Sequence, residues 1–214
     1  MAKVTHRPIE ETRQLLVDGA LSVISKEGIA AATTRRIAEA ARVQTGTVHY
    51  CFSGKDDLLA AAYNYAATAV LADVQLPVFP ASGIKESVAI ITRQFARSAI
   101  REPDLQKAQY ELTLWAWRSQ DFRHLAQRVF RRYIDGTVQF LREAYSEKDP
   151  KVDLQVLSRM IISAIDGAQW QWLSLDDGSM EKMTEAAISA MQAYIDSQPP
   201  QDSQNEMSGL SEAH

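Results

Sequence analysis

The stretch TTRRIAEAARVQTGTVHYCFSGK, residues 33–55, carries the pattern that decides the fold. Thr33 is a favourable N-cap for a helix over residues 34–41, because its hydroxyl can accept from an orphan amide of the first turn. A short break then precedes a second helix over residues 45–52. The apolar side chains expected on the inner faces of the two helices are Ile37, Ala38, Ala41, Val48 and Phe52. Two short helices with apolar inner faces and a tight turn predict a helix-turn-helix.

The outer face of the second helix determines what this motif could bind. In a helix-turn-helix the second helix enters the major groove of DNA, so its outward side chains should be small, polar or hydrogen-bonding. Gly46 would cost a helix about 0.8 to 1 kcal/mol relative to alanine, but it lets a backbone approach a phosphate or base edge closely. The sequence predicts DNA contacts from Thr45, Gly46, Thr47, His49 and Tyr50, with phosphates held by Thr34, Arg35 and Lys55.

The spacing of these residues resembles the DNA-binding motif of the TetR family of transcriptional regulators. The matching segments are Thr33-Thr34-Arg35-Arg36-Ile37-Ala38, Gly46-Thr47-Val48, His49-Tyr50-Cys51-Phe52 and Lys55 with Leu58-Leu59. The resemblance covers about a quarter of the chain, residues 8–59. His49 stands where the family usually has tyrosine, and Cys51 where it often has histidine or tyrosine. The resemblance implies a homodimer whose affinity for DNA changes when a small molecule binds.

The rest of the chain is expected to be helical. Only nine glycines and seven prolines interrupt its 214 residues, and strong helix formers are plentiful. We predict an all-α protein of about nine helices, with an N-terminal three-helix helix-turn-helix head and a C-terminal helical bundle. The predicted domains are a DNA-binding head over residues 1–55, a ligand-binding and dimerisation domain over 56–197, and a disordered tail over 198–214.

Charge is divided unevenly along the chain, whose formal net charge is −4. Residues 1–55 hold eight basic and five acidic groups, whereas the remainder holds fifteen basic and twenty-two acidic groups. A basic end on an acidic body is the asymmetry expected if one end meets phosphate. The excess of basic groups at the N-terminal end therefore favours DNA binding.

The sequence contains no recognisable catalytic, metal or cofactor motif. It has no HExxH, CxxC, GxGxxG or phosphate-binding loop, and no serine lies in a nucleophile elbow. We therefore expect no enzyme activity, no cofactor and no metal. No apolar run approaches the roughly 18 to 20 residues of a membrane span, so we expect a cytoplasmic protein. The single cysteine, Cys51, is expected to be a small residue at the DNA face, with an oxidant sensor as the alternative.

The last two predicted helices carry many small residues beside adaptable apolar ones. These are Ala164, Gly167, Ala168, Ala186, Ala187 and Ala190, with Ile161, Ile165, Met183 and Met191. Small side chains permit close helix crossing, and methionine adapts to it. In the TetR family the last two helices pair with those of a second subunit, which predicts a homodimer through them. The alternative is that these residues pack only within the subunit.

Aromatic residues are concentrated in the body of the chain, including all four tryptophans. Two tryptophans separated by one residue cannot face the same way on a helix, so one of each pair should face away from the main core. A mostly apolar ligand cavity with a few polar groups would use such residues. The candidates are Phe95, Gln109, Tyr110, Trp115, Trp117, Arg118, Asp166 and Trp170, with Gln169 as a further polar group. The alternative is that these aromatics are ordinary core.

Together these features predict a ligand-responsive transcriptional regulator that binds double-stranded DNA. We expect a homodimeric repressor that a largely apolar or aromatic small molecule releases from its operator. An effector-independent DNA-binding module is the alternative, and an all-helical enzyme is a more remote one.

Overall fold

The computed structural model describes residues 8–74 and 83–200 of the chain. Within those ranges the chain forms nine α-helices and one short 3-10 turn, and no strand. The helices are α1 (Ile9–Glu27), α2 (Thr34–Ala40), α3 (Thr45–Cys51), α4 (Lys55–Asp73), α5 (Ile84–Arg101), α6 (Pro103–Arg118), α7 (Arg123–Ala144), α8 (Leu154–Leu175) and α9 (Met180–Asp196). The predicted all-α fold is therefore confirmed. The tail predicted over 198–214 lies mostly outside the described residues.

The chain divides into two compact units. The first contains the described part of Met1–Asp73 together with Glu102–Phe130. In it, α1 packs against α2, α3, α4 and α6. The Tyr63 hydroxyl of α4, fully buried, lies 2.9 Å from the Thr113 hydroxyl of α6. The helix-turn-helix therefore shares a hydrophobic core with α4 and α6.

The second unit contains the described part of Val74–Arg101 together with the described part of Arg131–His214. Helices α5, α8 and α9 pack against one another. The buried Ser158 hydroxyl of α8 donates to the Ile134 carbonyl oxygen of α7 over 3.1 Å. The Asp153 side chain caps α8 by accepting from the amides of Gln155 and Val156. These contacts make the second unit a helical bundle.

Two details differ from what the sequence pattern suggested. A 3-10 turn, Ile29–Ala31, was not foreseen, and it occupies the link between Gly28 and the cap of α2. The first compact unit also extends beyond residue 55, because α6 packs against α1 and α4. The division into a DNA-binding head and a ligand-binding domain at residue 55 stays a prediction about function.

Candidate nucleic-acid interface

The inner faces of α2 and α3 are buried as predicted. Thr33 caps α2, since its hydroxyl oxygen accepts from the Arg36 amide over 3.1 Å. The five apolar residues expected inside are all buried, at 0 to 8% exposure: Ile37, Ala38, Ala41, Val48 and Phe52. Two helices with this much inward burial cannot rotate freely on their support. The outer face of α3 is therefore fixed in orientation relative to α1.

A close helix crossing and a left-handed turn set the angle between the two helices. A Cβ added at Gly19 of α1 would lie 3.0 Å from the Ile37 carbonyl oxygen and 3.1 Å from the Ala41 Cβ, so glycine permits α1 to approach α2 this closely. The turn between α2 and α3 contains Arg42 with a φ of 55°. That left-handed conformation costs an ordinary residue about 1 to 2 kcal/mol, which the surrounding packing must offset.

The C-terminal end of α3 is held by Arg13, a residue that the sequence pattern did not single out. The Arg13 guanidinium donates to the Cys51 carbonyl oxygen, and its central carbon lies 4.1 Å from the centroid of the Phe52 ring. A cation at this end also complements the helix dipole. Arg13 lies 38 residues before Cys51, and no local motif connects them. Only the folded packing of α1 against α3 reveals the role.

The prediction that Cys51 lies at the DNA face is wrong. Its side chain is buried, at 5% exposure, on the same side of α3 as Val48. Burial follows from the helical period, because Cys51 lies three residues after Val48. Cys51 is therefore part of the support of the recognition helix.

The side chains predicted to meet DNA lie on the opposite side of α3. Thr45, His49 and Tyr50 are exposed, and Tyr50 is 72% exposed. An added Cβ at Gly46 would meet no atom within 4 Å, so open space lies in front of that backbone. Thr47 is half-buried. This surface of hydroxyl, imidazole and phenol groups around a bare backbone offers donors and acceptors of the kind that base edges require.

The neighbouring arginines Arg35 and Arg36 differ in how their charges are used. The Arg36 Nε lies 3.1 and 3.0 Å from the two carboxylate oxygens of Glu27, and its Nη1 lies 3.3 Å from Glu39. The hydrogen bond from Arg36 holds the pKa of Glu27 below its ordinary value. Within the described ranges, Arg35 and Lys55 make no ion pair. Arg35 is exposed and Lys55, the first residue of α4, is half-buried.

Because of this difference, the two arginines should respond differently to removal. For Arg35→Ala we expect the slope of log affinity for DNA against log salt to fall by about one unit for each subunit bound, because each subunit would lose one phosphate contact. For Arg36→Ala we expect the slope to stay unchanged, because its charge is already paired. Fluorescence anisotropy at several salt concentrations measures both slopes. Equal slopes for wild type and Arg35→Ala would remove Arg35 from the phosphate contacts.

Five of the predicted ligand-binding residues lie in the first unit, on α6. Trp115 stacks on Phe122 with ring centroids 5.2 Å apart, whereas Trp117 is 51% exposed. Gln109 and Tyr110 are half-buried and Arg118 is exposed. A groove of about 380 Å³ is lined by Ile29, Glu111, Leu114, Trp115, Arg118 and Ser119. Two of the five residues, Trp115 and Arg118, line this groove. Glu111, which the sequence did not suggest, lines it as well.

The other three lie in the second unit. Phe95 is buried and meets the Tyr133 ring edge-on, with centroids 6.4 Å apart. Asp166 is half-buried, and burial raises its pKa to about 6. Trp170 is 56% exposed. As predicted, one tryptophan of each pair faces away from the core, but the ligand-binding roles of all eight residues stay predictions.

Two other kinds of site are absent from the described residues. No group of three or more histidine, cysteine, aspartate or glutamate side chains within them is arranged to hold a metal ion. No helix within them combines the length and hydropathy needed to cross a membrane.

A helix-turn-helix with a buried inner face and an exposed polar recognition helix defines a protein that binds double-stranded DNA. Comparison with known proteins adds the family. Residues 16–62 match the model of bacterial regulatory proteins of the tetR family, and residues 83–195 match the tetracyclin repressor-like C-terminal domain. The chain belongs to the TetR family of transcriptional regulators, which confirms the resemblance seen in the sequence.

Individual relatives agree with this assignment. The chain is 24% identical to the nicotine-responsive transcriptional repressor HdnoR of Paenarthrobacter nicotinovorans, over 87% of the chain and 95% of the relative. It is 30% identical to the regulator BetI 2 of Chromohalobacter salexigens, over 78% and 79%. A crystal structure of a transcriptional regulator from Rhodococcus sp. Rha1 superposes with a TM-score of 0.71 at 16% identity, covering 86% of this chain and 95% of that one. The predicted class, a DNA-binding transcriptional regulator, is therefore confirmed.

Proposed function

We propose that the chain is a cytoplasmic homodimeric repressor, without catalytic activity, that a small organic cation releases from DNA. The observation that carries the proposal is the exposed polar face of α3, with Tyr50 exposed and open space over Gly46, on a support that is buried on its other side. Thr45, Thr47, His49 and Tyr50 would meet base edges. Thr34, Arg35 and Lys55 would hold phosphates, and Gly46 would admit the duplex.

The exposed face of α8 and α9 supports dimerisation. Within the second unit, Ile161, Ile165, Ala168 and Met191 are buried, so the alternative of packing inside the subunit accounts for these residues. Other small or apolar residues of the two helices are exposed: Gly167, Trp170, Met183, Ala186 and Ala190. Ala164 and Ala187 are half-buried. An added Cβ at Gly167 would meet no atom within 4 Å. Small exposed residues beside large apolar ones suit the close approach of a second copy.

Two polar groups of α8 favour a cationic effector. Asp166 is a half-buried carboxylate. A protonated amine beside it would stabilise the charged form of the carboxylate, which burial disfavours. Gln169 lies three residues later on the same face. It is 3% exposed, and within the described ranges its Nε2 donates to no acceptor. An acceptor atom on the effector would satisfy this amide. Nicotine, to which the HdnoR relative is named as responding, combines an aromatic ring with a basic nitrogen.

Release would follow from the geometry of two recognition helices. Specific binding requires their centres to lie about 34 to 36 Å apart, or a multiple of that distance, so that both fit successive major grooves. An effector that binds more tightly to a dimer with another spacing would weaken DNA binding. The size of this effect is set by the difference in the effector's affinity for the two forms of the dimer. A coupling free energy of about 1 to 3 kcal/mol corresponds to about 5- to 150-fold weaker binding.

Selection of DNA from a random-sequence library tests the proposal. We expect the wild-type protein to enrich a nearly palindromic sequence, and nicotine or another aromatic amine to release it. Matched neutral compounds, such as 2-phenylethanol beside 2-phenylethylamine, control for hydrophobicity. If the protein enriches no sequence, the regulator proposal fails. If it enriches one and no compound of either kind releases it, the effector-independent module is correct.

Asp166→Asn should make the free protein more stable and the complex with a cation weaker. Because the pKa of Asp166 is raised to about 6, its favourable contribution to folding is present at low pH and is lost as the pH rises through about 6. At pH 8 we therefore expect the asparagine variant to exceed wild type by about 1 to 3 kcal/mol in free energy of unfolding, since one pKa unit is about 1.4 kcal/mol. The difference should shrink as the pH falls toward 4.

Urea unfolding at pH 4, 6 and 8 measures this difference, and amine titrations measure the accompanying loss of affinity, which we expect to exceed 10-fold. Asp135→Asn is the matched control, because Asp135 is an exposed carboxylate of the same unit. A stability difference that is independent of pH, with unchanged amine binding, would remove Asp166 from the effector site.

A further inference from the structure

A long-range hydrogen bond joins α6 to the beginning of the helix-turn-helix. The Ile29 amide donates to the Glu111 carboxylate over 2.7 Å, and the two residues are 82 positions apart in sequence. Both belong to the first compact unit. Hydrogen bonds to a charged acceptor are roughly twice as strong as neutral ones. Glu111 is therefore the polar anchor for this part of the backbone.

The anchored position lies directly before the DNA-binding elements. Ile29 opens the 3-10 turn Ile29–Ala31, and Thr33, the cap of α2, follows four residues later. The preceding residue, Gly28, has a φ of 83°, and a Cβ added there would lie 3.4 Å from the second carboxylate oxygen of Glu111. Glycine thus supplies the left-handed conformation that this position requires.

Packing does not fix Ile29 from every side. Its side chain is half-buried and lines the groove formed with Leu114, Trp115 and Arg118. The groove of about 380 Å³ leaves space beside the turn, where a tightly packed core would have side chains. The hydrogen bond to Glu111 therefore adds a polar restraint to the packing of the turn against α1 and α6.

We propose that Glu111 is a positioning residue for DNA binding. It holds the start of the helix-turn-helix in the position that lets both recognition helices of a dimer fit the DNA. The inference rests on the proposed regulator function. Glu111 touches no DNA; it acts through Ile29 and the cap of α2. Because both recognition helices must match the DNA at once, a small displacement of this turn in each subunit weakens specific binding. Non-specific binding depends on phosphate charge and is insensitive to such a displacement.

The test compares Glu111→Ala, Glu111→Asp and Glu111→Gln with wild type on DNA selected from a random library and on DNA of random sequence. Glutamine keeps an acceptor at the same reach, whereas aspartate is one methylene shorter and alanine has none. We expect alanine and aspartate to lower affinity for the selected DNA at least 10-fold and to leave affinity for random DNA unchanged. Glutamine should restore binding to within about threefold of wild type. Glu102→Ala, an exposed change at the N-cap of the same helix, is the control.

Hydrogen exchange of the Ile29 amide gives a second readout that does not depend on DNA. We expect it to become faster in the alanine and aspartate variants and to remain protected with glutamine. If Glu111 has only a structural role, the melting temperature falls while the ratio of specific to random affinity stays constant, which overturns the proposal. If alanine prevents folding, the aspartate and glutamine pair decides in the same way. Failure of the regulator proposal itself is distinct, because wild type would then select no DNA.

Discussion

Replacing Ala190 with glutamate is expected to lower the affinity for selected DNA by at least about 100-fold. Ala190 and Ala186 are exposed and lie one turn apart on α9, on the face proposed to meet a second copy. Burying an unpaired carboxylate in that interface is costly, so the dimer dissociates. A monomer then holds one half-site and loses much of the advantage of specific over non-specific binding, which is roughly 10³- to 10⁷-fold in such proteins.

Sedimentation equilibrium and fluorescence anisotropy measure the two consequences of this substitution separately. Ala72→Glu is the matched control, because Ala72 is an exposed alanine of α4 in the first unit. We expect the control variant to remain dimeric and to bind as wild type does. If Ala190→Glu is dimeric and binds normally, then this face of α9 is not the interface, and the small residues on it are ordinary helix formers.

Tyr50→Ala is expected to weaken binding to selected DNA by about 5- to 150-fold for each subunit bound, without lowering the free energy of unfolding. Tyr50 is 72% exposed on the outer face of α3, so its truncation removes no core packing. A good base contact contributes about 1 to 3 kcal/mol, and the predicted range follows from that contribution. The affinity for random DNA should change little, because that binding depends mainly on phosphate contacts.

The control for this substitution is Tyr65→Ala, which removes a 41% exposed tyrosine from α4. Urea unfolding and DNA titration of both variants separate stability from recognition. Equal affinities for wild type and Tyr50→Ala, or an equal loss in both tyrosine variants, would exclude Tyr50 from base contact.

The helix-turn-helix was predictable because its signals are local. The cap at Thr33 and the apolar spacing of Ile37, Ala38 and Val48 fix two short helices and their inner faces without reference to distant residues. The same spacing predicts that Tyr50 lies outside. The prediction for Cys51 was wrong because it did not follow the helical period. That period places Cys51 with Val48 on the buried side of α3.

The support of the recognition helix was not predictable because its contacts are distant in sequence. Arg13 reaches Cys51 across 38 positions, and Glu111 reaches Ile29 across 82. Arginine and glutamate on helices are usually solvated, so composition offers no signal for either role. Gly19 gave no signal either, because the close approach of α1 to α2 is visible only once both helices are placed.

Methylation interference on the selected DNA tests most directly whether α3 reads the major groove. Methylation of guanine N7 blocks the major groove, whereas methylation of adenine N3 blocks the minor groove. The account predicts that binding is lost on guanine N7 methylation in two patches, with centres about 10 to 10.5 base pairs apart or a multiple of that spacing. Interference confined to adenine N3, or to one patch only, would contradict the account.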